Sequence, residues 1–371
     1  MPRPESRRSL RLLLAVFLLV LSGVPTTLAR PPDERMALLR RGVNITAWFR
    51  YPGSLAPPAL RGYLGASAIT GLRDAGFTFV RLPVDPALLA HPAVPPALTE
   101  AIRRLRDVGL GVVVSLHPTT WHLEHSQADR AALHEAWRRL GPLLAGLGAD
   151  RVFAEVLNEP VFPADPAAWH ALQRNVLATI RASLPRHTVV LTGHDWSSIA
   201  GLEALTPEPD RNAVYTFHLY EPVDLTSLAA WKPGLDRPAL SRLPFPVRDR
   251  ATCEKIAATT DADTAGMIRY YCAVGWNESH ISRRISAAAA WGRRHDVPVL
   301  AGEFGATEAL NPDARANWLR AVRTACEVEG IGWALWGYDD VMGFGLPRPP
   351  GPSPVLNATV LRALGMGAGR N

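Results

Sequence analysis

Eight short runs of apolar, largely β-branched residues recur along the chain, and amphipathic stretches separate most of them. The runs lie at residues 42–45, 78–84, 111–116, 152–157, 188–192, 213–219, 297–301 and 331–335. A strand that is apolar at nearly every position is buried on both faces, as in a parallel sheet covered by helices. Residues 99–108, 131–147, 167–184, 281–294 and 314–328 carry apolar side chains at the helical period. In the first of these, Ile102, Leu105 and Val108 are three apart, while Arg103, Arg104 and Arg106 fall on other faces. The alternation predicts an α/β fold, a TIM (β/α)8 barrel, over an open doubly wound sheet. The first run is followed by no glycine fingerprint for a dinucleotide, which weakens the open-sheet alternative further.

One connection breaks the rhythm. About 75 residues separate the sixth run from the seventh, where units of this kind use short loops. The segment contains Pro222, Pro233, Pro238, Pro244 and Pro246 and reads as a long loop. The expectation is a long insertion between strand 6 and strand 7, at a face where loops carry function. Cys253 and Cys272 both lie in it and are expected to pair, which makes the insertion ordered. Cys326 follows Val322 on a helical apolar pattern and reads as a buried free thiol. No Cys-x-x-Cys pair or His/Cys cluster suggests a structural zinc site.

The amino end has its own logic. Arg3, Arg7, Arg8 and Arg11 precede the apolar run 12–21, and the small-residue site Thr27-Leu28-Ala29 follows. That order predicts a secretory signal peptide over residues 1–29. Its apolar run is too short to span a bilayer, which takes about 20 residues. Ser6-Arg7-Arg8 with Leu10 partly resembles a twin-arginine signal, from which Arg11 departs. Residues 30–371 are then expected to form one catalytic domain, secreted or periplasmic, where a disulfide persists. No later segment reaches a spanning length, so no stable membrane span is expected in the mature chain, and it is expected to act as a monomer. With 47% hydrophobic and 20% charged residues, the chain is not a disordered one. Of its net charge of +6, four Arg and one Glu in the leader supply half. No basic block or interleaved aromatic stripe accompanies the rest, so no nucleic-acid partner is expected.

Polar residues at the carboxyl ends of barrel strands read as catalytic. Here the second run passes through Arg81, and the third stops at His117. The fourth stops at Asn158-Glu159-Pro160, and the sixth holds His218 and Tyr220. The seventh stops at Gly302-Glu303-Phe304-Gly305, and the eighth at Trp336-Gly337. Glu159 and Glu303 would face each other across the barrel mouth. Each alone could be an ion-paired rim residue. Together, with Asn158, His218 and Tyr220 in register, they supply what glycoside hydrolysis needs. One carboxyl protonates the leaving oxygen, and the other attacks the anomeric carbon or activates a water.

These residues resemble glycoside hydrolase family 5 of clan A, a retaining family that contains many endo-β-1,4-glucanases and mannanases. Arg81, His117, Asn158-Glu159-Pro160, His218-x-Tyr220, Glu303 and Trp336 each match one of its near-invariant positions, and Gly343-Phe344-Gly345 follows in a family-like way. The resemblance runs from about Arg41 to Leu346. It implies that Glu159 is the general acid/base and Glu303 the nucleophile. Glu159 would need a raised pKa and Glu303 would need to stay ionised. Arg81 and Tyr220 would hold Glu303, His218 would orient Glu159, and Asn158 would bind the sugar 2-hydroxyl. His117 would bind hydroxyls near the cleavage site, and Trp336 would offer a flat face to a pyranose ring. Neither a metal nor a cofactor is expected. The partner is a β-linked polysaccharide or oligosaccharide.

Two loops depart from the family pattern. They are Trp48-Phe49-Arg50-Tyr51 after the first run and Pro118-Thr119-Thr120-Trp121-His122 after the third. Trp48, Trp121, Trp196 and Trp231 are further candidates for sugar platforms, whereas Trp333 reads as core packing. The resulting expectation is a secreted, retaining β-1,4-glucan hydrolase. β-Mannan, a β-1,3 linkage, transglycosylation and a catalytically silent polysaccharide-binding barrel are the alternatives.

Overall fold

The computed structural model describes residues 29–367, so most of the expected export signal lies outside the described residues. Eight parallel strands close into a barrel in sequence order. They are β1 (Arg41–Asn44), β2 (Phe79–Val84), β3 (Gly111–Leu116), β4 (Val152–Glu155), β5 (Val189–Thr192), β6 (Ala213–Leu219), β7 (Val299–Phe304) and β8 (Gly332–Trp336). All eight predicted runs are strands; the third and sixth coincide with theirs, and the ends of the others shift by at most three residues. The helices around the barrel include α1 (Ala66–Ala75), α2 (Val94–Asp107), α3 (Gln127–Ala145), α4 (Pro166–Ser183), α5 (Ile199–Glu203), α6 (Arg250–Ala257), α7 (Ala262–Val274), α8 (Glu278–His295), α9 (Pro312–Val328) and α10 (Ala358–Ala363). The outer ring follows from amphipathicity. In α3, Ser126 caps the start by accepting from Asp129 N, and Leu133, Trp137, Leu140 and Leu144 form the buried stripe. Among the described residues, no helix is long and apolar enough to cross a membrane.

The inward positions explain why the barrel is a scaffold and not a pore. Phe79, Val113, Phe153, Val190, Val214, Leu300 and Ala334 pack with Leu39 into an apolar floor. β1 contributes Gly42, because a Cβ there would lie 2.2 Å from the Phe79 ring. Two residues further along six of the eight strands the interior turns polar, since inward side chains recur with period two. Asn44, Arg81, Ser115, Glu155, Thr192 and Thr216 are all buried. Six side chains of this kind cannot be buried without partners, and their pairing builds the site above them.

The insertion departs from the sequence expectation of a long loop. Cys253 and Cys272 form a disulfide, as expected, but they join two packed helices, α6 and α7. Asp249 and Asp261 cap these helices by accepting from Thr252 N and Thr264 N. Thr264, Ala265, Ile268, Tyr271 and Cys272 give α7 a buried stripe at helical spacing. Tyr271 Oη reaches back to donate to Pro244 O at 2.7 Å, which ties the hairpin to the proline-rich approach. Cys326 is a buried free thiol, and burial pushes its pKa up.

Candidate active site

Arg81 is the hub of the buried polar layer. Its Nε and Nη2 each lie 2.6 Å from a Glu155 carboxylate oxygen, a bidentate pair. Nη1 donates to Glu303 Oε1 at 2.5 Å and to Asn44 Oδ1 at 2.9 Å. Nη2 also donates to Asn158 Oδ1 at 2.9 Å and to Ser115 Oγ at 3.2 Å. Burial alone disfavours the charge on this guanidinium. The charges of Glu155 and Glu303 outweigh it and hold the group protonated. Arg81 therefore fixes Glu303, as the sequence implied, but it is itself fixed by Glu155, which sequence reasoning missed.

Glu303 reaches the mouth through a bulge. Phe217 pairs with Ala301 and His218 with Glu303, so Gly302 is the extra residue and Glu303 turns inward opposite His218. Only glycine fits at 302, because a Cβ would stand 2.4 Å from Thr216 Oγ1. Asn44 Nδ2 secures the bulge by donating to Gly302 O at 3.2 Å. Glu303 Oε2 accepts from Tyr220 Oη at 2.9 Å. Burial raises the Tyr220 pKa and the charges of Glu303 and Glu159 raise it further, so the phenol stays a donor.

Glu159 follows β4 in a left-handed conformation, with φ 44°, immediately before Pro160. That backbone costs a non-glycine residue about 1–3 kcal/mol, and such strain gathers at functional sites. His218 Nδ1 lies 2.9 Å from Glu159 Oε1 and 3.5 Å from Glu303 Oε2. One oxygen from each glutamate and a His218 nitrogen all lie within 4.8 Å of one another. Among the described residues this trio is also the one group of such ligands close enough to share a metal ion.

The charge distribution in the free cleft differs from the sequence expectation. Burial pushes Glu159 up, but the His218 hydrogen bond and the cationic His218, Arg81 and Arg50 outweigh it, so its pKa is lowered. Glu303 is raised, by burial first and by the Glu159 charge, against the pull of His218 and Arg81. His218 is raised as well: burial opposes its charge, and Glu303 and Glu159 overcome that. Groups this close titrate as one unit, so their proton belongs to the trio and not to one carboxyl.

His117 is buried, and its ring stacks on Trp336 with centroids 5.9 Å apart. Burial and three neighbouring cations, Arg81, Arg50 and His218, keep it neutral. Neither of its ring nitrogens has a partner among the described residues. Trp48 is buried and donates Nε1 to Leu60 O at 2.7 Å, so it is core rather than platform. Trp121 is half-buried against the core, and Trp333 is fully buried as expected. Trp196 and Trp231 are 56% and 64% exposed and remain available to a ligand. Asp195, Trp196 and Ser197 are all left-handed, and Trp196 N donates to Pro160 O, so this strained turn is tied to the residue that follows Glu159.

Residues 42–340 match the family model described as cellulase, glycosyl hydrolase family 5. The chain belongs to glycosyl hydrolase family 5. Endoglucanase 3 of Fibrobacter succinogenes is 27% identical over 346 residues, covering 84% of this chain and 51% of that protein. This chain thus spans about half the length of that relative. Cellodextrinase A of Ruminococcus flavefaciens is 21% identical, covering 78% of this chain and 83% of that protein. Endoglucanase Cel5A of Thermotoga maritima superposes with a TM-score of 0.70 at 22% identity, covering 90% of this chain and 99% of the other. Cellulose synthase subunit Z of Clostridioides difficile does so at 0.69 and 20%, covering 88% and 99%. At these identities the two structures carry the fold.

Proposed function

We propose that this family 5 member is an exported, retaining endo-β-1,4-glucanase. The observation that carries the mechanism is the Glu159–Glu303 pair, with carboxylate oxygens within 4.8 Å of each other. Retaining glycosidases hold their carboxyls about 5–5.5 Å apart, whereas inverting ones need about 6.5–9.5 Å for a water. Glu303 is the nucleophile. Both its oxygens are held, by Arg81 and Tyr220, so one is aimed at the anomeric carbon without rotational freedom.

Glu159 is the acid/base. Its proton resides on the His218–Glu159 hydrogen bond: on Nδ1 it leaves a carboxylate, and on Oε1 it makes the acid. A sugar that fills the mouth removes water from Glu159 and favours the neutral carboxyl. In the first step Glu303 bonds to the anomeric carbon while Glu159 protonates the departing oxygen. In the second, Glu159 takes a proton from water, and that water displaces Glu303. Asn158 gives its Oδ1 to Arg81, which turns Nδ2 towards a ligand hydroxyl, and the unpartnered His117 nitrogens suit the same use.

Endo action is favoured by the aromatics. Tyr51 and Trp336 follow β1 and end β8, while Trp196 and Trp231 follow β5 and β6 on the opposite side of the closed barrel. Platforms on both sides of the glutamates suit a chain lying across the mouth. The names of the relatives favour β-1,4-glucan over mannan. Export is supported by the residue pattern at 1–29 and by the Cys253–Cys272 disulfide, which persists in oxidising compartments. Reducing-sugar release from β-1,4-glucan and β-mannan, with Glu303→Ala as control, tests the assignment. Glucan hydrolysis lost in the control is expected. Binding without hydrolysis by wild type and control alike would make the barrel a silent binding module.

A further inference from the structure

The segment after β1 holds a cation, Arg50, at the edge of the sugar platform, and no carboxylate among the described residues forms an ion pair with it, although Glu159 feels its charge from further off. The backbone there is tightly fixed. Buried Asp339 accepts from Thr46 N and Thr46 Oγ1 at 2.6 Å each, from Ala47 N at 3.1 Å, and from the Tyr63 hydroxyl. Phe49 pairs with Val84, and Tyr51 N donates to Ala47 O at 2.9 Å. Arg50 is carried on this rigid turn. Its guanidinium carbon lies 4.8 Å from the Tyr51 ring centre and 5.6 Å from that of Trp336. Those rings orient the cation without satisfying its donors, and Nε is buried with no partner. A preorganised, unpaired guanidinium at a ligand platform matches a carboxylate, which can accept from its fork in bidentate fashion.

We propose that Arg50 is a specificity residue that binds a carboxylate on the glycan, so that the preferred substrate is an acidic β-glucan bearing uronic acid residues or carboxyl substituents near the cleavage site. This rests on the reading of the cleft as that of a β-glucanase. It also gives the cation a sensible place in the chemistry. The Arg50 charge pulls Glu159 towards its ionised form, which works against a general acid. A substrate carboxylate paired with Arg50 relieves that pull only when the cleft is filled.

The test is binding of disaccharides by calorimetry at low salt, which is readable whether or not the protein hydrolyses anything. Cellobiose, its uronic acid analogue (glucuronosyl-β-1,4-glucose) and carboxymethyl-cellobiose are compared on wild type, Arg50→Gln and Arg50→Lys. Wild type is expected to favour at least one acidic ligand over cellobiose by about tenfold or more. Arg50→Gln should bring that ratio near one, Arg50→Lys should leave part of it, and raising the salt to about 0.5 M should shrink it. Whichever acidic ligand gains identifies the source of the carboxylate. Equal binding of all three by wild type, or a preference that survives in Arg50→Gln, overturns the proposal. Circular dichroism of each variant confirms that the ratios come from folded protein. Hydrolysis of cellohexaose is measured alongside. Activity on it with no acidic preference sinks this inference alone, whereas an Arg50-dependent preference without hydrolysis sinks the glucanase reading alone.

Discussion

Glu155→Gln tests whether the buried polar layer is one electrostatic unit. Glu155 and Arg81 have essentially no solvent exposure, at 1% and 0% of their side chains, and are joined by two 2.6 Å hydrogen bonds. The glutamine keeps the shape and removes the charge, so Arg81 is left with Glu303 as its one adjacent counter-charge. Breaking a buried pair from one side costs about 3–5 kcal/mol, because the remaining charge is uncompensated. At about 2–4 °C per kcal/mol for a large domain, the melting temperature should fall by on the order of 10 °C. Activity should fall too, because an Arg81 released from Glu155 draws charge from Glu303, the proposed nucleophile. The double variant Arg81→Met/Glu155→Leu separates the two effects. It removes both charges together, so part of the lost stability should return, the rest being withheld because buried Glu303 has lost its cation, while activity stays lost, since Tyr220 alone then holds Glu303. Thermal unfolding and glucan hydrolysis are measured on all three proteins. Wild-type melting in Glu155→Gln, or an active double variant, would refute the argument.

Three further outcomes follow from the same geometry. Replacing Cys253 and Cys272 by Ala should cost roughly 3 kcal/mol, from loop entropy over a separation of 19 residues, read as a lower unfolding midpoint matched by reduction of the wild type. The folded-state pKa of His218 is raised above its usual value near 6.5, so its stabilising charge is fully present below that pH and lost as the pH rises through the raised value. Stability and kcat/KM should therefore both decline on the alkaline side, and His218→Gln should flatten that decline in a pH series of melting temperatures. Glu159→Ala should slow poor leaving groups by about 10²–10⁴-fold while sparing activated aryl glycosides, and azide should rescue it with retained configuration. Equal losses on both substrate types would remove Glu159 from the acid role.

The barrel was legible because strand burial and helix amphipathicity are both local signals with fixed periods. The site was legible where chemistry interrupts a strand end, as at Asn158-Glu159-Pro160 and Glu303. Glu155 was harder to read because it lies inside its run, between Ala154 and Val156, where its partner is 74 residues away. A lone acid within a buried run must be paired, and that was the available signal. The insertion was misread as a loop because its prolines dominate the pattern. The cap-like Asp249-x-x-Thr252 and Asp261-x-x-Thr264 spacings mark the two helices. The packing of Trp48, the stacking of His117 on Trp336 and the open donors of Arg50 depend on how the β1 and β3 loops fold over the mouth. No periodicity encodes that.

Glu303 as nucleophile requires a covalent glycosyl-enzyme on its carboxylate. A 2-fluoro-cellobioside with an activated leaving group slows the second step and lets that intermediate accumulate. Peptide mass spectrometry of the treated protein then locates the sugar. One fluoro-cellobiosyl group is expected on the peptide containing Glu303, absent in Glu303→Ala and present in Glu159→Ala. A label on Glu159, or turnover with no labelled peptide and an inverted first product, would contradict it.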